Sequence, residues 1–334
     1  MTHCFIFVLS GIDRTFACIT MAQVTCKPHY QTVNGITFPS MFSAKCFREA
    51  MDYMAKPNDV FIVTYPKCGT TWMQSIVTHI FRKGRELENP REWCKVSPYI
   101  DMIGNQGINL MSRPGAFKSH LPYYMIPYSP KAKYINVYRN PKDCCVSFYY
   151  HTKHNVGYCF SEGTFDDFFE LFMAGEVMYN DYFDHLMSWY PHRKDSNVFF
   201  TTYEDMKKDT KDVVLKVAKF LGKEYIDAIE RDNNVLNNIL YFSSFQYLKR
   251  NISDLYDYFT ALKDEDPNML EGKRHIREYI HSLKPCPEKF QFIRKGIVGD
   301  WKFHFSTQQS ERMDRKFLER TRGTEIQEKF KNYM

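Results

Sequence analysis

"VTYPKCGTTWMQSIV", residues 63–77, decides the fold of this chain. A short apolar run, Val60-Phe61-Ile62-Val63-Thr64, follows the turn signal Pro57-Asn58-Asp59 and reads as a buried strand. Beyond the turn, Met73, Ile76, Val77, Ile80 and Phe81 recur at helical spacing and form one apolar face. Arg82 and Lys83 fall in the last turn of that helix, with Gly84 just past it, as a C-terminus prefers. The unit is therefore strand, tight turn, helix. A helix N-terminus offers free backbone N–H groups and partial positive charge, which suit a phosphate or a sulfate. Gly69 lets backbone approach such an anion, Lys67 adds a full charge, and Thr70 and Thr71 add hydroxyl donors. A plain strand-to-helix connection that uses Gly69 only for its geometry fits the turn equally well. The triphosphate loop G-x-x-x-x-G-K-[ST] does not fit, because Lys67 precedes Gly69 and no glycine lies five residues before it. That weakens a kinase reading.

Composition narrows the class. A chain of 334 residues is long enough for one large domain or two ordinary ones. With 44% hydrophobic and 25% charged residues it reads as an ordinary soluble globular protein. The 28 phenylalanines and 23 tyrosines make aromatic-lined pockets easy to build. A net charge of +6 fits an anionic ligand but is too diffuse to argue for nucleic acid. The ten cysteines form no C-x-x-C pair and no cluster with histidine, which speaks against zinc and against a disulfide framework. Free thiols in a reducing compartment are expected, with Cys144 and Cys145 as packing residues on a helix. No stretch approaches the ~20 apolar residues of a membrane span. The segment "CFIFVLSGI", residues 4–12, lacks a basic region before it and is followed at once by Asp13-Arg14, so a cleavable signal is disfavoured. Met21 is an alternative start.

Strands and helices alternate along the rest of the chain, without repeats or low-complexity tracts. "KYINVY" (133–138) reads as a strand, followed by the cap and first-turn pair Asn140-Pro141 and a helix to about Tyr150. Thr164 with Asp167 marks the start of another helix. "NVFFTTY" (197–203) is a strand, and "DVVLKVAKFLG" (212–222) an amphipathic helix ending at Gly222. Repeated β-α units predict a parallel sheet flanked by helices, with ligands beyond the carboxyl ends of the strands. Residues 65–71, Arg139 and Tyr203 all fall at such ends. Residues 252–288 are polar and charged and read as a long loop or a mobile helical excursion, of the kind that serves as a lid.

Four dispersed motifs then combine: "TYPKCGTTW" (64–72), "FKSHLP" (117–122), "YRNPKDCCVSFYYH" (138–151) and "FIRKGIVGDWKFHF" (292–305). Together they closely resemble the cytosolic sulfotransferase family, over roughly residues 33 to 315. The resemblance implies a single α/β domain with the P-loop-kinase-like sulfotransferase fold. Residues 33–334 would form it, 252–288 would be a lid-like insertion, and 1–32 an N-terminal extension. It further implies a cytoplasmic enzyme that moves a sulfuryl group from 3′-phosphoadenosine 5′-phosphosulfate (PAPS) to a hydroxyl or amine of a small molecule, without a metal. The product nucleotide is 3′-phosphoadenosine 5′-phosphate (PAP).

Residue roles carry over by motif. The resemblance makes Lys67, Cys68, Gly69, Thr70 and Thr71 the 5′-phosphosulfate loop, with Cys68 standing where serine is common. It makes His120 the general base and Lys118 a second charge on the transferring group, so that Lys67, Lys118 and His120 are the catalytic set. Arg139, Ser147, Arg294, Lys295 and Gly296 would clamp the 3′-phosphate, and Trp72, Tyr203, Ser243 and Phe245 would hold adenine. For the acceptor pocket the aromatics Tyr150, Tyr158, Phe160 and Phe292 are expected, with His151 among them, favouring a phenol, a catecholamine-like amine or a steroid. Two departures stand out. The family's dimer pattern K-x-x-x-T-V-x-x-x-E reads here as Lys302, Ser306-Thr307 and Glu311, which leaves a monomer or a weak homodimer. The region before Arg294 is longer than in the family. A small-molecule kinase and a nucleotide-binding protein without turnover are the competing readings. Retention of Lys67, Lys118 and His120 counts against the second, and a carbohydrate sulfotransferase would need a membrane anchor.

Overall fold

The computed structural model describes residues 24–89, 92–251, 269–283 and 292–334. The segment 4–12, Met21, and residues 252–268 and 284–288 of the predicted insertion lie outside the described residues. A hairpin of β1 (Tyr30–Val33) and β2 (Ile36–Pro39) comes first, then helix α1 (Ala44–Met51). Strand β3 (Val60–Thr64) feeds α2 (Thr70–Phe81), followed by α3 (Trp93–Val96) and α4 (Ile100–Leu110). Strands β4 (Phe117–Ser119) and β5 (Lys133–Tyr138) precede α5 (Pro141–His154), α6 (Phe165–Ala174) and α7 (Tyr182–Trp189). Strand β6 (Val198–Thr202) leads into α8 (Tyr203–Lys208), α9 (Thr210–Leu221), α10 (Lys223–Arg231), α11 (Asn233–Phe242) and α12 (Phe245–Asn251).

The four central strands are parallel and ordered β4-β3-β5-β6. Alternation along them splits the core in two. Phe61 and Val63 face one cluster with Phe117, Tyr134 and Tyr138, while Val60 and Ile62 face a second with Ile76, Ile135 and Val137. Both faces are thus covered, as a parallel sheet requires. The strands expected at 60–64, 133–138 and 197–203 form as Val60–Thr64, Lys133–Tyr138 and Val198–Thr202, the helix expected at 212–222 forms as Thr210–Leu221, and the helix after the 63–77 turn ends at Phe81, with Arg82 as its C-cap rather than in its last turn. Asn140 caps α5 by accepting from Asp143 N, and Thr164 with Asp167 forms the full capping box of α6. The α5 helix runs one turn beyond Tyr150, to His154, because Thr152 packs inward.

Residues ahead of 33 pack on the rest of the chain: β1 starts at Tyr30, and Thr25 N donates to Asp167 at 2.7 Å. Within 252–288, residues Glu271–His281 form a helix seated on α4. The Ser306-Thr307 pair that breaks the dimer pattern has a local task, for Ser306 caps the helix Thr307–Arg320 in a capping box with Gln309. No helix among the described residues is long and apolar enough to cross a membrane.

Candidate functional site

One cavity of about 1070 Å³ opens over the carboxyl ends of β3, β4 and β5. The β3–α2 turn forms its floor. Gly69 occupies the N-cap of α2 at φ 101°, and no side chain caps that helix, so its first-turn N–H groups are free for a ligand. The left-handed conformation asks for glycine, and the Tyr203 ring also leaves no room, since a Cβ on Gly69 would lie 2.9 Å from Tyr203 Cδ2. Gly69, Thr70, Thr71 and Trp72 all line the cavity. The Thr70 hydroxyl sits 2.6 Å from that of Thr64. Lys67 enters the cavity from a backbone at φ 67°. Its Nζ is 3.4 Å from His151 Nδ1 and 4.9 Å from the centre of the Phe292 ring. Burial, reinforced by Lys118 and Arg139, lowers its pKa to about 7. Cys68 departs from the expected role. Its thiol is fully buried behind the loop, 3.7 Å from Cys144 Sγ, and its N–H closes a turn onto Tyr65 O at 3.3 Å. Cys68 shapes the loop from beneath and does not line the cavity.

His120 follows β4 at the adjacent strand end. Its Nδ1 is 2.7 Å from the Thr64 carbonyl, which can only accept, so Nδ1 carries the proton and Nε2 keeps its lone pair. The backbone is held on both sides. His120 N donates to Asp101 Oδ2 at 2.8 Å, and His120 O lies 3.0 Å from His185 Nε2. Burial, with Lys118 next in weight, keeps the His120 pKa well below that of a free imidazole. Lys118 lies 3.9 Å over the Tyr99 ring, and burial lowers its pKa to about 8 against the pull of Asp101. Lys67, Lys118 and His120 therefore meet in one cavity from two strand ends.

The far side of the cavity is a clamp. Arg139 leaves the end of β5, donates to Ile297 O at 2.9 Å and stacks 4.4 Å from the Tyr203 ring. Ser147 reaches the same cavity from two turns into α5. Arg294 and Lys295 are both paired to buried Asp300, the lysine at 2.8 Å. Gly296 packs against the Phe245 ring, whose Cδ2 a Cβ would meet at 2.5 Å, so the clamp and the aromatic site share a wall. Trp72 and Tyr203 meet edge to face at 5.4 Å. Ser243 lines the cavity while donating to Ile239 O at 2.7 Å. Buried Arg139 Nε, Arg294 Nε and Trp72 Nε1 have no hydrogen-bond partner among the described residues. Orphaned donors on two arginines and an indole fit a polyanionic nucleotide with an aromatic base.

Of the expected acceptor residues, His151, Tyr158 and Phe292 line the cavity. Phe160 does not; it is buried in the core against Gly163 and Phe168. Tyr150 does not either; its ring backs the clamp, with the Arg294 guanidinium 4.6 Å away. Sequence reasoning missed Asp101, which accepts from Tyr179 OH at 2.6 Å as well as from His120, and it missed Tyr99, Met102 and Ile103 along α4. No local spacing marks Asp101, because it acts across the fold. Among the described residues no cluster of histidine, cysteine, aspartate and glutamate could hold a metal.

A sulfotransferase domain model matches residues 57–325. The rabbit (Oryctolagus cuniculus) amine sulfotransferase is 35% identical over 290 residues, 84% of this chain and 86% of that protein. Human (Homo sapiens) sulfotransferase 2A1 is 34% identical over 294 residues, 86% and 93% of the two chains. Among solved structures, mouse sulfotransferase SULT7A1 complexed with PAP aligns with a TM-score of 0.68 at 29% identity, covering 91% of this chain and 99% of that one.

Proposed function

The chain belongs to the sulfotransferase domain family, and on that premise we propose that it transfers sulfate from PAPS to a hydroxyl or amine of a small aromatic acceptor, with His120 as general base. The observation that carries this reading is the His120 tautomer. With Nδ1–H tied to Thr64 O at 2.7 Å, Nε2 is the nitrogen left to take a proton, and burial favours the neutral imidazole that a base requires.

PAPS supplies a sulfuryl group already joined to a good leaving phosphate. The rest falls to the chain. Lys67 and the N–H groups of residues 69–71 hold the oxygen on which charge grows as the sulfur–oxygen bond breaks. Lys118 neutralises the transferring group from the side. Arg139, Ser147, Arg294, Lys295 and Gly296 fix the 3′-phosphate, while Trp72, Tyr203, Ser243 and Phe245 fix adenine. A hydroxyl acceptor gives its proton to His120 Nε2 as its oxygen attacks sulfur. A neutral amine attacks with its free lone pair and loses the proton afterwards. The negative nucleotide beside His120 opposes the burial that keeps the imidazole neutral, so the base can hold the proton it takes. Lysines lowered to about 7 and about 8 regain full charge as the anion arrives. Free thiols at every described cysteine suit a cytoplasmic setting, and the altered dimer pattern suits a monomer or a weak homodimer.

The test is transfer of label from radioactive PAPS to a panel of phenols, monoamines, catecholamines and steroids, without added metal. Labelled product is expected, and His120→Ala is expected to lose nearly all turnover while PAP still binds. Substantial turnover in that variant would remove His120 as the base.

A further inference from the structure

We propose that Asp143 is the positioning residue of the 3′-phosphate clamp: its buried carboxylate holds the turn at 299–301 on the start of α5, and so sets how strongly the protein prefers a nucleotide with a 3′-phosphate to one without. This rests on the 3′-phosphate assignment within the sulfuryl-transfer reading above. Neither Asp143 nor the turn lines the cavity, so the effect passes through the clamp residues.

Two of the clamp's three cations depend on that support. Arg139 follows β5 directly and Ser147 belongs to α5, so regular structure places both. Arg294 and Lys295 lie in the stretch 294–297, which belongs to no helix or strand. What holds them is their pairing to the buried carboxylate of Asp300. Asp300 is the middle residue of the turn, and its neighbours on both sides are tied to Asp143. Gly299 N donates to Asp143 Oδ2 at 2.7 Å, and Trp301 N donates to Oδ1 at 3.0 Å. One carboxylate thus takes the N–H on each side of Asp300, one per oxygen, and fixes where Asp300 carries its two cations. Gly299 serves the same turn by its conformation, at φ 86° with open space where a Cβ would point.

Asp143 is itself well anchored. It is the third residue of α5, its N–H donates to Asn140 Oδ1 at 2.9 Å, and its Oδ2 accepts from Asn140 Nδ2 at 2.9 Å. Arg139 ties the same segment one step earlier. It donates to Ile297 O at 2.9 Å and lies 3.9 Å from Asp143 Oδ2. Next to Asp143, Lys142 stands 4.2 Å over the Trp301 ring and pairs with Asp314 at 2.7 Å. The segment 294–301 therefore hangs from residues 139–143 by three backbone atoms, and Asp143 accounts for two of them. Bonds from N–H groups to a buried carboxylate are charge-assisted and stiff. Without that carboxylate the two N–H groups lose their acceptor, the turn opens towards water, and Asp300 moves with the cations it carries. A 3′-phosphate must then reorder the turn as it binds, whereas a nucleotide lacking that phosphate is indifferent to it.

The experiment measures, by calorimetry, the binding of PAP and of adenosine 5′-monophosphate, which lacks the 3′-phosphate, to the natural chain and to Asp143→Asn. Asparagine keeps the size and one acceptor oxygen, so it can serve Gly299 N or Trp301 N but not both. A hydrogen bond to a charged group is worth about tenfold or more, so the preference for PAP over the monophosphate should fall by about that factor. Affinity for the monophosphate should stay within about twofold, and KM for PAPS should rise by about tenfold while kcat at saturating PAPS holds, because Asp143 touches none of Lys67, Lys118 and His120. The preference is a ratio within each protein, so a loss of folded chain cancels. The natural chain supplies a second reading, which decides the matter should the variant not fold. Coupling is reciprocal, so PAP should slow hydrogen exchange at the Gly299 and Trp301 amides by about tenfold more than the monophosphate does. A preference unchanged in Asp143→Asn, or equal protection of those amides by the two nucleotides, overturns the role of Asp143. Equal affinity of the natural chain for both nucleotides overturns the 3′-phosphate assignment itself, and the proposal with it.

Discussion

Asp101→Ala is the sharpest test of how His120 is held. Asp101 is fully buried, and its Oδ2 accepts from His120 N at 2.8 Å and from Tyr179 OH at 2.6 Å. Tyr179 OH lies 2.8 Å from Tyr99 OH, so it keeps a partner when the carboxylate is removed. His120 N has no such alternative among the described residues. Leaving that one buried donor unpaired costs about 1–3 kcal/mol, before any loss of packing. The energy falls at the end of β4, three residues long, which has little ladder to resist it. A base displaced by ~1 Å loses on the order of a hundredfold in rate. Asp101→Ala should therefore lower the melting temperature by several degrees and kcat by about tenfold to a hundredfold, while PAP affinity holds, because the clamp residues are on other elements. Asp101→Asn keeps an acceptor oxygen for His120 N and should recover most of kcat. It also removes the charge that raises the Lys118 pKa. Lys118 would then lose its proton at lower pH, so the alkaline limb of kcat/KM for PAPS should move down. The assays are calorimetric melting, PAP titration and initial rates across pH. An alanine variant with kcat within twofold of the natural chain would refute the positioning argument.

Two further outcomes follow from the same geometry. Arg139→Ala removes the buried guanidinium at the end of β5 and should weaken PAP binding by about 30-fold or more, as loss of a charge-assisted phosphate contact would; calorimetry showing under threefold would remove Arg139 from the 3′-phosphate site. PAP binding near pH 8 should take up protons, since burial lowers the pKa of Lys67 to about 7 and of Lys118 to about 8 and the nucleotide charge raises both again. Calorimetry in buffers of different ionisation enthalpy reads that uptake, and heats that do not vary with buffer would show that these lysines stay charged throughout.

Much of this was legible because the decisive elements are local. The β3–turn–α2 unit declares itself through a change of hydrophobic period around Gly69, and β5 and β6 do so through continuous apolar runs that a doubly covered parallel strand must have. Strand β4 is too short, at Phe117–Ser119, to show any period, and its presence is dictated by pairing with β3. The sheet order likewise depends on contacts that no single segment contains. Of the residues that the motif resemblance assigns to the nucleotide, all but Cys68 line one cavity. Cys68 faces Cys144 beneath the loop, and which way a loop side chain points depends on what the neighbouring helix offers it.

The acceptor end was the least legible, for a physical reason. A nucleotide has fixed charges, so its site recurs as a pattern of donors near strand ends. An acceptor pocket is walled by whatever side chains the surrounding helices happen to turn inward. Tyr150 and His151 are adjacent in sequence, yet α5 turns them by about 100° relative to each other. His151 reaches Lys67, while Tyr150 supports Arg294. A stretch read as one aromatic patch thus divides between two sites. Lys273 and Arg277 lie in a segment whose polarity reads as solvent-facing, and only the seating of Gly272 on Met102 turns their side toward the cavity. Their place at the cavity is therefore a property of helix packing. The same charges on a helix rotated by about 100° would line no site at all.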